Sequence, residues 1–470
     1  MKRKILTVGW SSELISSFLD GVEQFSEANF EFVHLVEVGY QPNGKYDELP
    51  KNYIPLAINK SLVLTSEDIV FLENLEAIGV PTIRAMIAGD PYLRHLTTED
   101  SLAYAASVAR SILKCVTKNE IDIVLASNDR LISSIALAVC NFKEIKYTAL
   151  AFTVIPDNRT WFIDRLTPNS LIPFKRKNSH PISENQANKI IENFINDRHQ
   201  LSYWAAPVSI SGAIFYNFQR FFIKIRRVWT KSDFKPTKYA TLSFSTAFKI
   251  SFKRLLNRIS LFTLKMITEP PKNNFAYFPM HMNPESMVDT WAVYYQDQLS
   301  LIKQILLALP LNVELVVKLH FADPDSYSAS QLYELTKHPR VHIAHPNSNS
   351  KAFLKEAALV FGITGTSSLE AALLGKPVLI FGDSPYVDFP SSQKALKPDE
   401  LHSQINQVLK QKKPTRKSIL KAFEKYCNQY LPGRVNDWSL PLTQSDLKKF
   451  FLCFKSLVDE TFNDKHRVNK

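Results

Sequence analysis

The chain reads as an α/β protein of two domains, each built on a mainly parallel sheet, with a basic helical insertion between them. Three observations predict this. Residues Ala358 to Asp383, ALVFGITGTSSLEAALLGKPVLIFGD, place two buried-strand runs around a stretch of helical spacing, a strand, turn, helix, strand unit. Between Phe275 and Phe381 the same alternation recurs through five strands, the pattern of parallel βαβ units. Finally, from Leu171 to Pro270 there are 17 Lys and Arg against 5 Asp and Glu, so this segment holds the whole net charge of +12. A length of 470 residues exceeds what one core organises, and a hydrophobic fraction of 45% is ordinary for a globular chain.

Residues 1–172 form the first predicted domain. Its strands are Lys4 to Val8, Phe30 to Val36, Pro81 to Ala85, Ile121 to Ala126 and Ile145 to Ala151, with a long helix over Thr98 to Thr117. Two strand ends carry chemistry, Gly9-Trp10-Ser11-Ser12-Glu13 and Ser127-Asn128-Asp129-Arg130. A carboxylate at such a place can take a proton from an acceptor hydroxyl, which makes Asp129 and Glu13 the catalytic candidates and Asp90 a third. The plainer reading of Asp129 and Glu13 is that of helix-start acids favoured by the dipole.

Basic residues precede an apolar run at the start, MKRKILTVGW, as in a signal peptide, but Ile5 to Val8 is only strand-length and no small-residue cleavage site follows. Cys115, Cys140, Cys427 and Cys453 show no C-x-x-C spacing, so a reducing, cytoplasmic setting is expected. No run approaches the ~18 apolar residues of a membrane span.

In residues 173–273 aromatics alternate with basic residues, in Ala213 to Trp229 and again in Phe248 to Phe262, both amphipathic helices by spacing. Three readings fit: an anionic membrane surface met by 213–262, a nucleic acid, or a solvated face. No nucleic-acid motif accompanies the charges, so no nucleic-acid partner is expected, and the membrane surface is preferred for a chain whose acceptor is lipid-linked.

Residues 274–410 make the second domain, with strands Phe275 to Met280, Val313 to Leu319, Val341 to Ala344, Ala358 to Ile363 and Val378 to Phe381. Open parallel sheets bind ligands beyond the carboxyl ends of their strands. Here those ends carry His281, Lys318 with His320, His345, Thr364 to Ser368, and Asp383. The turn Thr364-Gly-Thr-Ser-Ser delivers backbone amides and hydroxyls to a helix start, a fit for phosphate. It reads equally well as a capping box of Ser367 with Glu370. Residues 411–470 are helical in pattern, with Tyr430 to Trp438 as a turn. No D-x-D stands at a strand end and no His pair has ligand spacing, so neither metal nor cofactor is expected.

Three segments, FPMHMNPES (Phe278 to Ser286), VVKLH (Val316 to His320) and GITGTSSLEAALLGKPVLIFGD (Gly362 to Asp383), are similar to motifs of bacterial capsule and surface polysaccharide biosynthesis proteins. That family resembles nucleotide-sugar glycosyltransferases of the GT-B fold, including enzymes that transfer Kdo from a CMP-sugar. The resemblance covers roughly Phe275 to Asp383. It implies two Rossmann-like domains facing across a cleft, the first holding a glycan acceptor and the second the nucleotide-sugar donor. It implies further that His320 and a Ser/Thr pair of the turn, from Thr364, Thr366, Ser367 and Ser368, hold the donor phosphate, that Glu370 meets the ribose, and that His281 and Glu285 line the cleft; Lys318, read from its place at a strand end, is either solvated or neutralises a diphosphate or the acceptor's carboxylate. In the family the second motif ends in His-Pro. Here His320 is followed by Phe321, and His345-Pro346 is a second candidate, so the donor's identity is where the sequence departs. A UDP-sugar transferase or 2-epimerase of the same architecture, and a non-catalytic scaffold of a polysaccharide assembly complex, are the alternatives.

Overall fold

The computed structural model describes residues 2–9, 22, 25, 30–36, 53–55, 62–79, 81–127, 130–156, 158–167, 169–173, 181–196, 239, 242–433 and 443–462. In chain order its strands are β1 (Arg3–Val8), β2 (Phe30–Val36), β3 (Tyr53–Pro55), β4 (Ile123–Ala126), β5 (Lys146–Phe152), β6 (Arg159–Ile163), β7 (Phe275–Pro279), β8 (Glu314–Lys318), β9 (Val341–Ala344), β10 (Leu359–Gly362), β11 (Val378–Ile380), β12 (Ser392–Lys394) and β13 (Leu431–Pro432). They form two sheets in two compact units. The first unit takes Met1–Ile182, Arg227–Leu242 and Tyr426–Lys470; the second takes Ser183–Arg226 and Ser243–Lys425. Both are Rossmann-like.

In the first unit the order is β13-β6-β5-β4-β1-β2-β3. Strands β5, β4, β1, β2 and β3 run parallel, while β6 and β13 are antiparallel additions at one edge. The run Ile123–Ala126 is fully buried, as a strand covered on both faces requires. The chain returns from the second unit to close this edge. Arg159 Nη2 donates to the Tyr430 carbonyl at 2.9 Å, and Phe162 meets Phe450 and Phe454 of the helix Gln444–Phe462.

One predicted strand is a helix. Pro81 to Ala85 reads as β, but Ile83–Gly89 is α-helical. Local polar groups decide it: the Thr82 hydroxyl accepts from the Ala85 amide at 3.2 Å, and the Glu76 carboxylate accepts from the Ile83 amide at 2.8 Å. These satisfy helix-start donors that a strand would have to pair across a ladder.

The second sheet is wholly parallel, in the order β12-β11-β10-β7-β8-β9. Its core packs Phe278, Val317, Phe361 and Leu379 against Ile302 and Leu332 of the covering helices Gln298–Ala308 and Ala329–Thr336. β12, Ser-Gln-Lys, escapes the sequence reading because it is short, polar and at the edge. The helix Phe244–Ser260 belongs to this unit, whereas the helix read over Ala213 to Trp229 lies outside the described residues. Among the described residues no helix is long and apolar enough to cross a membrane. All four cysteines are free and buried.

Candidate functional site

The carboxyl ends of β7, β8 and β10 converge on one set of polar groups. His281 follows β7, and its backbone is clamped by a residue the sequence did not flag. The His281 amide donates to Gln298 Oε1 at 2.8 Å, and Gln298 Nε2 donates back to the His281 carbonyl at 3.2 Å. The ring is fixed in turn, since Nδ1 lies 2.8 Å from Glu285 Oε2. Thus oriented, the imidazole lies against Gly365, where a Cβ would come within 2.7 Å of its Cε1 and 3.1 Å of its Nε2. Gly365 serves by close approach, with an ordinary extended backbone.

Gly365 is also the N-cap of the helix Thr366–Leu373, and no side chain caps it. The expected capping box is therefore not formed. Ser367 and Glu370 stand at the second and fifth positions of the helix, each two residues beyond the N-cap and third positions that a capping box requires. Beside that start, Thr364 Oγ1 and Ser368 Oγ are buried without a hydrogen-bond partner. Two glycines make room for them: a Cβ on Gly362 would fall 2.0 Å from Ser368 Oγ, and one on Gly382 would fall 2.7 Å from Thr364 Cγ2. Buried hydroxyls are seldom left unsatisfied, and here two are left beside an uncapped positive dipole end.

Lys318 ends β8 and is 4% exposed. Its Nζ donates to the Pro346 carbonyl at 2.7 Å, and among the described residues no carboxylate pairs with it. Burial pulls its pKa down to about 8. Burial likewise pulls His320 down to about 4, against the attraction of Glu285, so the ring is neutral near pH 7. His320 Nδ1 accepts the Ala322 amide at 3.2 Å, which leaves Nε2–H as a donor. Phe321 lies against the His320 ring at 4.7 Å between centroids. His345 repeats this arrangement, accepting the Asn347 amide at 3.2 Å, and is lowered by burial and by the charges of Lys318 and Arg258. For Glu285, burial works upward, but the His281 ring and then His320 outweigh it and hold the carboxyl below its usual range.

His281, Glu285, Lys318 and His320 thus share one electrostatic neighbourhood, with His281 touching the Thr364–Ser368 turn. Glu370 belongs to another. It is half-buried, and its charge partners are Lys351 and Tyr277; burial pushes it up to about 7 although Lys351 works against this. Asp383 pairs with Lys394 at 2.9 Å on the surface.

The catalytic candidates Asp129 and Glu13 lie outside the described residues. Asp90 is described, and it is a scaffold: Oδ1 accepts the amides of Tyr92 and Leu93 at 2.9 and 3.1 Å, and Oδ2 accepts that of Leu131 at 3.4 Å with Arg130 Nε at 3.6 Å. The spacing Asp323-Pro324-Asp325 has the D-x-D form but is likewise committed. Arg254 holds both carboxylates, and Asp323 Oδ2 accepts the Asn283 amide at 2.8 Å, which sets the loop between His281 and Glu285. Gly365, Gln298, Asp323 and Arg254 are the positions the sequence reading missed. Each acts across a long stretch of chain with no local pattern to announce it.

No family model matches the chain, and no curated protein matches its sequence. Three solved structures illustrate its likeness in backbone. A putative UDP-N-acetylglucosamine 2-epimerase from Listeria monocytogenes is 12% identical, covering 98% of this chain and 97% of its own, with a TM-score of 0.29. The β Kdo 2,7 transferase KpsC of Thermosulfurimonas dismutans is 12% identical over 67% of this chain and 79% of its own, with a TM-score of 0.31. The glycosyltransferase VinC, solved with DTDP, is 10% identical over 91% and 94%, with a TM-score of 0.26. Likenesses at this level decide nothing about chemistry, and the Rossmann-like description stands on this chain's own strand order.

Proposed function

We propose that the chain is a GT-B glycosyltransferase of bacterial capsule, surface polysaccharide or lipopolysaccharide biosynthesis. It takes a nucleotide-activated, CMP-linked and Kdo-like sugar to a glycan acceptor, at the cytoplasmic face of a membrane. The observation that carries this reading is the His281 ring seated on Gly365, beside an uncapped helix start and two partnerless buried hydroxyls. Those groups suit a phosphate: amides and the hydroxyls of Thr364, Thr366, Ser367 and Ser368 donate, and His320 Nε2–H adds a neutral donor. Lys318, buried and without a carboxylate among the described residues, suits a second anion. A CMP-linked acidic sugar offers one phosphate and one carboxylate, and a diphosphate offers two phosphates. Glu370 is assigned to the ribose.

In the transfer, the bond from anomeric carbon to phosphate oxygen breaks, the acceptor oxygen bonds to that carbon, and its proton passes to a carboxylate, Asp129 or Glu13. The leaving phosphate is stabilised by the turn, His320 and Lys318, and the reading assigns no metal or cofactor.

A second reading, a UDP-sugar transferase or 2-epimerase, is favoured by one observation. The open turn and the buried Lys318 are two places suited to an anion, and the two phosphates of a UDP-sugar would occupy both.

Thermal unfolding with CMP, CDP, UMP, UDP or GDP near 1 mM separates the readings. A ligand with a Kd of about 10 μM stabilises by about 2.7 kcal/mol. Stabilisation by CMP alone, abolished in Ser367→Ala/Ser368→Ala, is the expected result. A preference for UDP with turnover of a UDP-sugar in the absence of acceptor establishes the epimerase. No response to any nucleotide overturns both and leaves the scaffold.

A further inference from the structure

The helix Phe244–Ser260 is docked back to front. The side it turns to the protein is polar: Arg254 Nη2 donates to the Asn283 carbonyl at 2.7 Å while Nη1 meets Asp323 and Asp325, Asn257 Nδ2 donates to the Asp325 carbonyl at 3.0 Å, and Arg258 is buried. The side it turns to solvent is apolar. Phe252, Leu256, Ile259 and Phe262 are 51%, 51%, 40% and 48% exposed, and their spacing of four, three and three residues lays them in one stripe. Phe248 stacks on Phe252 at 6.1 Å. A surface helix of a soluble protein normally has the opposite arrangement, and a contiguous apolar patch of this kind marks an interaction site.

We infer that this stripe seats the protein on an anionic lipid surface. Charge selects the occupant. Lys249 and Lys253, both exposed, run one turn apart along the edge of the stripe, and the helix contains no Asp or Glu. That composition, aromatic and branched residues on one side with lysines at the margin, is what an interfacial helix presents to acyl chains and anionic headgroups. A nucleic acid has no use for the apolar stripe. A protein partner would have to meet the lysines with carboxylates as well as cover the stripe, whereas an anionic bilayer offers acyl chains and negative headgroups together. The inference deepens the membrane-face reading above and rests on it only for placing the acceptor at a membrane; the exposure and charge that carry it are independent of the donor site.

The test is flotation of the full chain with phosphatidylcholine vesicles, alone or with about 30 mol% phosphatidylglycerol. The protein is expected to float with the anionic vesicles and not with the neutral ones. Phe252→Glu/Leu256→Glu should lower the partition coefficient by about tenfold or more, and Lys249→Ala/Lys253→Ala by several-fold with a weaker dependence on salt. Both pairs are exposed, and an unchanged unfolding temperature and circular dichroism spectrum would show that the variants fold. Equal binding by wild type and the Phe252/Leu256 variant overturns the inference, because charge alone would then suffice. So does failure to bind anionic vesicles. A wild-type dimer that the same variant converts to monomer also overturns it and makes a second copy the occupant. Nucleotide stabilisation in the same samples reports on the donor site separately, so failure of one reading is distinguishable from failure of the other.

Discussion

Beyond the end of β4, Asp90 is 1% exposed, and its oxygens are taken up by three backbone amides and Arg130; nearby, Ser127 Oγ and Ser133 Oγ close on each other at 2.6 Å. Beyond the ends of β8 and β10, Lys318 is almost as deeply buried but among the described residues its ammonium meets a carbonyl and no carboxylate, and the hydroxyls of Thr364 and Ser368 have no hydrogen-bond partner there. The two sheet edges are built on the same plan from similar residue types. Where polar groups answer one another, the edge is scaffold. Where they are left open among the described residues, the folded state carries a cost that a bound ligand would offset.

The difference can be broken at either edge. Asp90→Ala should have the largest effect, a loss of about 3–5 kcal/mol, because it removes the acceptor of three backbone amides and a charge partner of Arg130 at once. Denaturant unfolding checks this, and a loss below about 1 kcal/mol would remove Asp90 from the scaffold. Lys318→Met should act in the opposite direction. Its native pKa falls from 10.5 to about 8, so between those values the unfolded chain holds the proton more tightly and the wild type gains stability as pH rises. Below pH 8 the full cost applies, and the methionine variant should be more stable at pH 7 by up to about 3 kcal/mol while losing nucleotide stabilisation. A destabilised Lys318→Met would show that this lysine is scaffold too.

Glu370→Gln is the smallest and sharpest of the three. With the carboxyl raised from 4.5 to about 7, the native state keeps a proton that the unfolded chain has given up, so the wild type loses stability as pH climbs through that window. The amide should flatten that slope and gain about 2 kcal/mol at pH 8, a figure already reduced for the partial exposure of the group. Unfolding curves from pH 4 to 8 for both proteins decide it; parallel curves would mean that Glu370 titrates as an ordinary surface acid.

How much of this the sequence could show depends on the range of the interaction. The parallel strands were legible because Ile123–Ala126, Phe275–Pro279 and Leu359–Gly362 are continuous apolar runs, and burial on both faces leaves no other composition. Ile83–Gly89 was not, because five residues of mixed character fit either period and a threonine cap settled it. The turn at Thr364 was found with two readings, phosphate site or capping box, because S-x-x-E spacing cannot say whether the serine is the cap or the second helical residue. Which residues the site gathers was visible as polar endings to successive strands. That His281 abuts Gly365, that Gln298 holds it, and that Lys318 donates to the Pro346 carbonyl are facts of three-dimensional proximity. A single chain written in order does not contain them.

Arg254 has a mechanical consequence. It fastens the outward-facing helix to Asn283 and Asp323, and Asp323 in turn holds the Asn283 amide in the loop that carries His281 and Glu285. The helix and the loop therefore share one hinge pin. A shift of either strains the same few hydrogen bonds, and thermodynamic reciprocity requires that whatever loading the helix does to the affinity of the loop for its ligand, loading the loop does in equal measure to the helix.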